Sequence, residues 1–281
     1  MGYRLGDGEK NAVGSDGGFP LAVLTPTPRA HPTPVASRRT LPIEGREGYT
    51  PTAMPHPPLR SYGRIKARAL KPRQEKLVET LLPSLALDLS KPLDPKALFP
   101  DAREIVLEIG FGGGEHLAAQ AAAHPERGCM GVEPFLNGVG SCLRHIEEAG
   151  VSNVRLHMGD ARDVIAALPD AQGDFGVDRV DILFPDPWPK ARHHKRRLVQ
   201  ADFVASLARV VKPGGEVRFA TDWANYAAWT LEIFTRDARF AWLAESAADW
   251  RSPWPEHVTT RYEEKKLGDC APVWLRFSRG G

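Results

Sequence analysis

The sequence predicts an α/β fold in which a mostly parallel sheet carries helices on both faces. Short apolar runs, which indicate buried strands, alternate over residues 104–234 with segments of helical periodicity. Glycine-rich turns separate several segments, and an acidic residue lies at or just after the end of each of five predicted strands. Right-handed crossovers bring the carboxyl ends of parallel strands to one edge, so these acids are expected to share a site.

The first predicted elements flank a glycine-rich loop. Leucines on one side of residues 72–82 predict a helix. Residues 104–109 (EIVLEI) form an apolar run typical of a buried strand. Glycines within residues 110–114 then predict a tight turn into a helix over residues 115–123.

The same alternation continues through the middle of the chain. A second short apolar run predicts a strand at residues 129–132. Residues 135–149 have apolar side chains at helical spacing and a stop signal at Gly150. A third strand is expected at residues 154–158, followed by a helix over residues 161–168.

Two further strands complete the core of the pattern. The apolar run at residues 180–184 predicts the fourth strand, and residues 198–211 have the periodicity of a helix. Pro and Gly at residues 213–215 predict a turn into a fifth strand, residues 216–220. A helix over residues 223–234 follows.

The two ends of the chain are expected to differ, with a folded C-terminal part and a disordered N-terminal part. Near the C-terminus, residues 240–244 and 273–277 are candidates for two more strands, which would make seven. Residues 1–58 are rich in Gly, Pro, Ser and Thr without periodicity and are expected to be disordered. Met54 directly precedes a basic segment, so we hypothesise that the natural chain begins there. The folded domain is expected over residues 59–281.

Composition limits the class of protein. The 281 residues are 42% hydrophobic and 26% charged, as in a globular protein, and no apolar run approaches the roughly 18–20 residues of a membrane span. The formal net charge is only +2, but residues 60–76 hold seven Lys or Arg against one acid. Three cysteines without metal-like spacing predict no metal site, no disulfide framework and a reducing cytoplasm; they are Cys129, Cys142 and Cys270.

The glycine loop predicts a ligand that approaches the backbone closely. Gly110, Gly112 and Gly114 follow the first strand and open a helix. The dinucleotide pattern G-x-G-x-x-G would need a sixth-position glycine, but that position is Glu115, which would oppose a pyrophosphate. NAD is therefore disfavoured.

Acids at the strand ends favour a cationic nucleoside, and S-adenosylmethionine fits this description. Glu108 is expected near its ammonium group and Glu133 near its ribose hydroxyls. Asp160 is expected near the adenine amino group, although an acid in its position can also cap the next helix.

The run FPDPWPKARHHKRR (184–197) predicts the acceptor side of the site. Asp186 lies among prolines beside Trp188, and a cluster of cations follows. An unpaired charge cluster cannot pack in a core, whereas it suits phosphates. Trp188 either stacks on a base or supports the loop, and both readings stay open.

These motifs resemble the bacterial tRNA (guanine-N7-)-methyltransferase (TrmB) family over about residues 60–278. The matching segments are RSYGRIKARAL (60–70), LEIGFGGGEHL (107–117), VEP (132–134), GDA (159–161), FPDPWPKARHHKRR (184–197), ATDW (220–223) and TRYE (260–263). The resemblance implies a Rossmann-like class I methyltransferase domain over residues 59–281, with a basic N-terminal extension at 59–83. It also implies S-adenosylmethionine as donor and N7 of a tRNA variable-loop guanosine as acceptor.

The resemblance also implies residue roles. Asp186 is the implied catalytic residue and borders the donor together with Glu108, Glu133 and Asp160. Implied substrate contacts are Lys190, Asp222, Thr260, Arg261, Tyr262 and Glu263. Implied RNA contacts are Arg192, His193, His194, Lys195, Arg196 and Arg197. Two positions depart slightly from the family, because Tyr262 is often Phe there and His194 is often Asn.

Two other functions remain open at this point. A methyltransferase acting on an exocyclic amine would use a related D/N-P-P-aromatic motif, which Asp186-Pro187-Trp188 partly matches. A non-catalytic RNA-binding module would not need the donor acids, which are present here. A monomer and a homodimer are equally compatible with the sequence.

Overall fold

The computed structural model describes residues 69–173 and 175–281. The predicted leader (residues 1–58), the hypothesised start at Met54 and the basic segment as far as Arg68 lie outside the described residues.

Seven strands form one sheet within the described residues: β1 Glu104–Ile109, β2 Arg127–Val132, β3 Val154–His157, β4 Val177–Leu183, β5 Val211–Thr221, β6 Phe240–Trp242 and β7 Val273–Arg279. Their spatial order is β3-β2-β1-β4-β5-β7-β6. Strands β1 to β5 pair in parallel, whereas β7 pairs antiparallel with both β5 and β6. The predicted α/β fold class and its mostly parallel sheet are confirmed.

Helices connect these strands. In the described residues they are α1 Pro72–Thr80, α2 Leu82–Leu85, α3 Pro95–Leu98, α4 Glu115–Ala123, α5 Leu136–Ala149, α6 Ala161–Ala167, α7 Ala201–Val210, α8 Ala224–Arg236, α9 Ala248–Arg251 and α10 Arg261–Glu264, with a 3₁₀ helix at Ala191–Arg196. The bounds of β1 and α4 agree with those predicted from the apolar run and the glycine loop. Most of the other predicted bounds differ by one to three residues, as frayed ends usually do.

The turn predicted at residues 213–215 is instead a bulge inside β5. Pairing of β4 with β5 jumps from Val177↔Val211 to Arg179↔Glu216, so the intervening residues of β5 have no partners in this ladder. Gly214 has a φ of 80°, which permits the local kink without the steric cost of a side chain. Proline and glycine therefore mark an irregularity that the strand accommodates.

The packing of the core and the direction of the strands determine where the functional edge of the sheet lies. Apolar side chains of α5, including Val139, Leu143 and Ile146, pack with Leu117 of α4 and Leu156 of β3. Because β1 to β5 run in the same direction, their carboxyl ends lie along one edge. The loops that leave this edge carry the predicted acids.

Candidate active site

A cleft of about 1050 Å³ opens where the loops leave the parallel strands. Four of the five predicted acids line it, namely Glu108, Glu133, Asp160 and Asp186. The fifth, Asp222, is not among the described residues that line the cleft. The structure thus brings together acids from the ends of β1, β2, β3 and β4.

The glycine loop leaves open space on the cleft side. Gly110 and Gly112 have φ angles of 75° and 56°, and a Cβ at either position would have no atom within 4 Å. Both residues line the cleft, so the volume that side chains would occupy is free for a ligand. Gly114 has a different role, since a Cβ there would overlap Cys142 of α5. Glycine is therefore required there for close packing between α4 and α5, and the predicted contact of Gly114 with the donor stays a prediction.

Glu108 is held from behind by a histidine of α4. Its Oε2 lies 2.8 Å from Nδ1 of His116, and the two residues are 2% and 1% exposed. Burial alone would lower the pKa of His116, but the Glu108 carboxylate and the more distant Asp181 raise it above its usual value. The acid predicted to contact the donor is therefore hydrogen-bonded to a neighbouring imidazole.

Glu133 connects the glycine loop to the start of α5. Its carboxylate accepts hydrogen bonds from the backbone N–H of Gly112 at 2.9 Å and of Phe135 at 3.0 Å. Burial raises the pKa of Glu133, the two backbone hydrogen bonds oppose that shift, and nearby Asp186 adds to it. These bonds fix the direction of the carboxylate at the cleft wall.

Asp160 caps a helix as well as lining the cleft. One carboxylate oxygen accepts from the backbone N–H of Arg162 at 3.0 Å, and the other pairs with the Arg162 guanidinium at 3.0 Å. The sequence left capping and ligand binding open as alternatives for Asp160. The structure establishes the cap, and the same side chain borders the cleft.

Asp186 stands in a loop with unusual backbone geometry. Phe184 and Trp188, on either side of it, have φ angles of 50° and 44°, which bulky side chains rarely adopt. Such conformations persist where the surroundings impose them, and they cluster at functional sites. The Asp186 side chain is accessible from the cleft, yet the surrounding protein partly excludes water, and this partial burial raises the pKa of its carboxyl group.

The basic strip forms a 3₁₀ helix with two different faces. Lys190, Arg192 and Lys195 are exposed, while His193 and His194 are half-buried. The His194 ring meets the edge of Trp229 at 5.5 Å. Arg196 lines the cleft and lies 5.0 Å from the Trp188 ring centroid.

Arg197 corrects the expectation that the whole strip contacts RNA. It is 1% exposed, and its guanidinium donates to the carbonyl of Pro187 at 2.9 Å and to Asn225 at 2.7 Å. Its charged group also lies over the rings of Tyr226 and Trp229. Arg197 therefore supports the Asp186 loop from within the protein and is not available to a phosphate.

The predicted substrate contacts at residues 260–263 also fall into two groups, residues that line the cleft and a residue with a structural role. Thr260, Arg261 and Tyr262 line the cleft, and the Tyr262 ring stacks on Phe184 with centroids 5.4 Å apart. Glu263 accepts from the backbone N–H of Thr260 at 2.8 Å and completes the capping box of α10. Its carboxylate also lies 3.0 Å from Nε2 of His257, so its role here is structural.

Asp222 also supports this segment. It is buried at the end of β5 and accepts hydrogen bonds from the Tyr262 hydroxyl at 3.2 Å and the Gly268 N–H at 2.8 Å. The direct substrate contact expected for Asp222 is thus corrected to support of a residue that lines the cleft. Lys190 lies on the exposed strip, outside the described lining of the cleft.

The sequence did not identify several residues of the cleft. Lys71 and Arg73 reach it from the start of α1, Arg162 from α6 and Lys265 from the turn after α10. Arg73 pairs with acids of α5 and Arg162 with Asp160, whereas no ion pair is found for Lys71 or Lys265 within the described residues. Only the basic composition of residues 60–76 indicated the first two. Their position depends on how helices dock, which local patterns do not specify.

Within residues 69–173 and 175–281, no group of three or more His, Cys, Asp and Glu side chains is arranged to hold a metal ion. None of the helices in these residues combines the length and apolar character needed to span a bilayer.

Known proteins resemble this chain over most of its length. A family model described as "Putative methyltransferase" matches residues 102–274. A tRNA (guanine-N(7)-)-methyltransferase of Caulobacter vibrioides (strain NA1000 / CB15N) is 58% identical over 231 residues, which are 82% of this chain and 100% of that protein. The proteins of the same name from Hyphomonas neptunium and Nitrobacter hamburgensis are 51% and 50% identical, over 78% of this chain in each case and 99% and 86% of their own lengths.

Proposed function

Because this chain belongs to the bacterial tRNA (guanine-N7-)-methyltransferase family, we propose that its cleft binds S-adenosylmethionine and directs the methyl group to N7 of a variable-loop guanosine in tRNA. The methyltransferase domain comprises residues 59–281 in this proposal, with residues 59–83 as a basic extension. A tRNA substrate is met in the cytoplasm, where the free thiols of Cys129, Cys142 and Cys270 are stable.

The observation that supports the donor most strongly is the joint position of the glycine loop and four acids on one cleft. S-adenosylmethionine supplies an electrophilic methyl group on a sulfonium and also carries an ammonium and a ribose diol. Gly110 and Gly112 leave room for it, and Glu108, which lines the same cleft, would pair with the ammonium. Glu133 retains acceptor capacity beyond its two backbone bonds for the ribose hydroxyls.

Asp186 would act on the acceptor base. Guanine N7 has a lone pair and no proton, so the reaction needs positioning in line with the methyl group and no general base. Methylation makes the ring cationic, and a carboxylate at the ring edge stabilises that developing charge. Asp186 can also accept hydrogen bonds from guanine N1–H and the 2-amino group, which would orient N7.

The aromatic pair Phe184 and Tyr262 would hold the base beside Asp186. Both rings line the cleft, and their stacked arrangement continues into Trp274, whose ring meets Phe184 edge-on at 5.7 Å. Stacking on such a surface is worth about 1–3 kcal/mol per base. Trp188 carries Arg196 against its ring, an arrangement that agrees with support of the loop.

Exposed cations around the opening would contact the tRNA backbone. They come from separate elements and comprise Lys71, Arg73, Lys190, Arg192, Lys195, Arg261 and Lys265, with the half-buried Arg196 beside them at the cleft wall. Phosphate neutralisation by such groups makes affinity depend steeply on salt.

The decisive experiment is methyl transfer to two tRNA transcripts that differ only in the variable-loop guanosine. Transfer from labelled S-adenosylmethionine to the guanosine transcript, with 7-methylguanosine as product, supports the proposal. Equal transfer to a transcript that carries adenosine at this position would contradict the proposed methylation site. A product methylated on an exocyclic amine would instead favour the rival chemistry.

A further inference from the structure

His116 contacts the acid that the proposed function assigns to the donor's ammonium group, and the inference below about His116 rests on that function. Nδ1 of His116 lies 2.8 Å from Oε2 of Glu108, and both residues are almost fully buried. His116 Nε2 has no hydrogen-bond partner among the described residues. One ring nitrogen is therefore engaged with the donor acid, and the other carries any second proton without an acceptor.

Charged groups from the neighbouring elements surround His116. Glu108 faces it from β1, Asp181 and Arg179 from β4, and the His257 ring lies 5.5 Å away from the segment after α9. Glu108 and Asp181 are paired across β1 and β4. Arg179 donates to Asp181 at 3.1 Å and also lies 3.6 Å from Glu104 and 3.3 Å from Glu256, so its charge is shared among acids other than Glu108.

Among the described residues, Glu108 has its close ionic contact with His116, because Arg179 is shared among Asp181, Glu104 and Glu256. An imidazolium at His116 therefore supplies the counter-charge of Glu108. An arriving ammonium adds a further positive charge beside this pair, in a region where uncompensated charge is costly. Arginine keeps its proton in proteins, so the proton that can leave is that of His116.

We propose that His116 is a positioning residue for the methyl donor, holding Glu108 as an imidazolium in the free enzyme and releasing one proton when the donor's ammonium pairs with Glu108. The Nε2–H bond breaks, its electron pair stays on the ring and the proton passes to the buffer. The Nδ1–H group continues to donate to Glu108, so the carboxylate keeps its direction while its charge pairs with the ammonium of the donor.

The pH dependence follows from this exchange. The acids beside His116 raise its pKa in the free protein, whereas a bound ammonium lowers it. Between these two values binding releases protons, so donor affinity rises with pH, by at most about tenfold per pH unit. Affinity falls as the pH decreases through the same window.

The test is calorimetric titration of the full chain with S-adenosylhomocysteine, in buffers of different ionisation enthalpy between about pH 6.5 and about pH 8. This ligand keeps the ammonium group but cannot transfer a methyl group. The buffer dependence of the heat gives the number of protons released, and the expected maximum is about one per ligand bound. Methylthioadenosine, which lacks the ammonium, is expected to bind without release.

A matched pair of variants identifies the source of the proton. His116→Gln keeps a donor for Glu108 but cannot titrate, so we expect S-adenosylhomocysteine to bind with the release abolished. His124→Gln is the control, because His124 also contacts a glutamate, Glu126, but lies outside the described lining of the cleft. That variant should release as many protons as the unmodified protein.

The outcomes separate this inference from the proposed function. If the unmodified protein does not bind S-adenosylhomocysteine, the proposed donor is wrong. Binding without proton release, or equal release in His116→Gln, overturns the role of His116 alone. If His116→Gln does not fold, the comparison with methylthioadenosine decides, since equal release by both ligands also overturns the proposal.

Discussion

The Tyr262 hydroxyl donates a hydrogen bond to Oδ1 of Asp222 over 3.2 Å and thereby joins the segment that lines the cleft to the end of β5. Asp222 also accepts the Gly268 N–H, so one buried carboxylate holds both α10 and the segment that follows it. The segment that carries Thr260, Arg261 and Tyr262 is therefore positioned by a residue that does not itself line the described cleft.

Asp222→Ala should loosen this segment. It leaves the Gly268 N–H and the Tyr262 hydroxyl without their acceptor, which should lower the free energy of unfolding by about 1–3 kcal/mol. We expect a raised KM for tRNA and unchanged affinity for S-adenosylhomocysteine. Denaturant unfolding, steady-state kinetics and calorimetry measure these quantities. Tyr262→Phe, which keeps the ring on Phe184, should have a much smaller effect, and an equal effect would contradict the assignment.

Asp186→Ala should slow methyl transfer and spare tRNA binding. A preorganised group that stabilises transition-state charge typically contributes about 100- to 1000-fold to the rate. Single-turnover transfer with saturating donor measures the chemical step, and filter binding measures tRNA affinity. Asp170→Ala is a suitable control, because Asp170 is an exposed acid paired with Arg209. Near-normal turnover of Asp186→Ala would remove this residue from the mechanism.

The rate at saturating donor should fall as the pH decreases. Partial burial raises the pKa of Asp186, and the carboxylate is the form that stabilises a cationic ring. The acid limb of a single-turnover pH profile should therefore lie above the ordinary range of an aspartate. Asp186→Asn should be slow and should lose this limb. An unchanged limb in the variant would assign the titration to another group, such as Glu133.

Two neighbouring arginines should respond differently to substitution. Arg192→Ala should leave stability unchanged and lower the slope of log affinity for tRNA against log salt by about one unit, because Arg192 is exposed. Arg197→Ala should lower stability, because it removes the buried support of the Pro187 carbonyl. Thermal unfolding and salt-dependent filter binding distinguish the two. A stable Arg197→Ala protein with reduced salt dependence would show that Arg197 reaches the RNA after all.

Substitutions at two glycines of the same loop should affect different properties, stability in one case and ligand binding in the other. Gly114→Ala places a methyl group on Cys142 at a positive φ and should destabilise the protein by more than the roughly 1–2 kcal/mol that the backbone conformation costs. Gly112→Ala has the same backbone cost, but its methyl group enters the cleft. Its main effect should be weaker binding of S-adenosylhomocysteine, and the reverse ranking would contradict these roles.

Sequence patterns correctly predicted the features that depend on neighbouring residues in the chain. Apolar runs predicted β1 to β5, and parallel topology then predicted that Glu108, Glu133, Asp160 and Asp186 meet at one edge. Sequence patterns gave the wrong prediction where the environment of a residue is set by a partner far along the chain. Arg197 looks like part of a solvated charge run, but Tyr226 and Trp229 of α8 cover it.

The contacts behind the cleft were not predictable for the same reason. His116 lies in a helix and His257 in a loop far along the sequence, yet their rings are 5.5 Å apart. Asp222 follows a strand as expected, but the direction of its side chain depends on Gly268, where a Cβ would collide with it. These relationships arise from tertiary packing and leave no periodic signal.

The position of β7 has a consequence for biosynthesis. This strand is made after β6 but lies between β5 and β6, so the sheet cannot be completed until the chain has been synthesised through residue 279. The segment carrying Tyr262 is connected directly to β7 and cannot be anchored on both sides before then. On the ribosome, the segment proposed to hold the acceptor base should therefore be positioned last, well after strands β1 to β4, which carry the acids proposed to contact the donor.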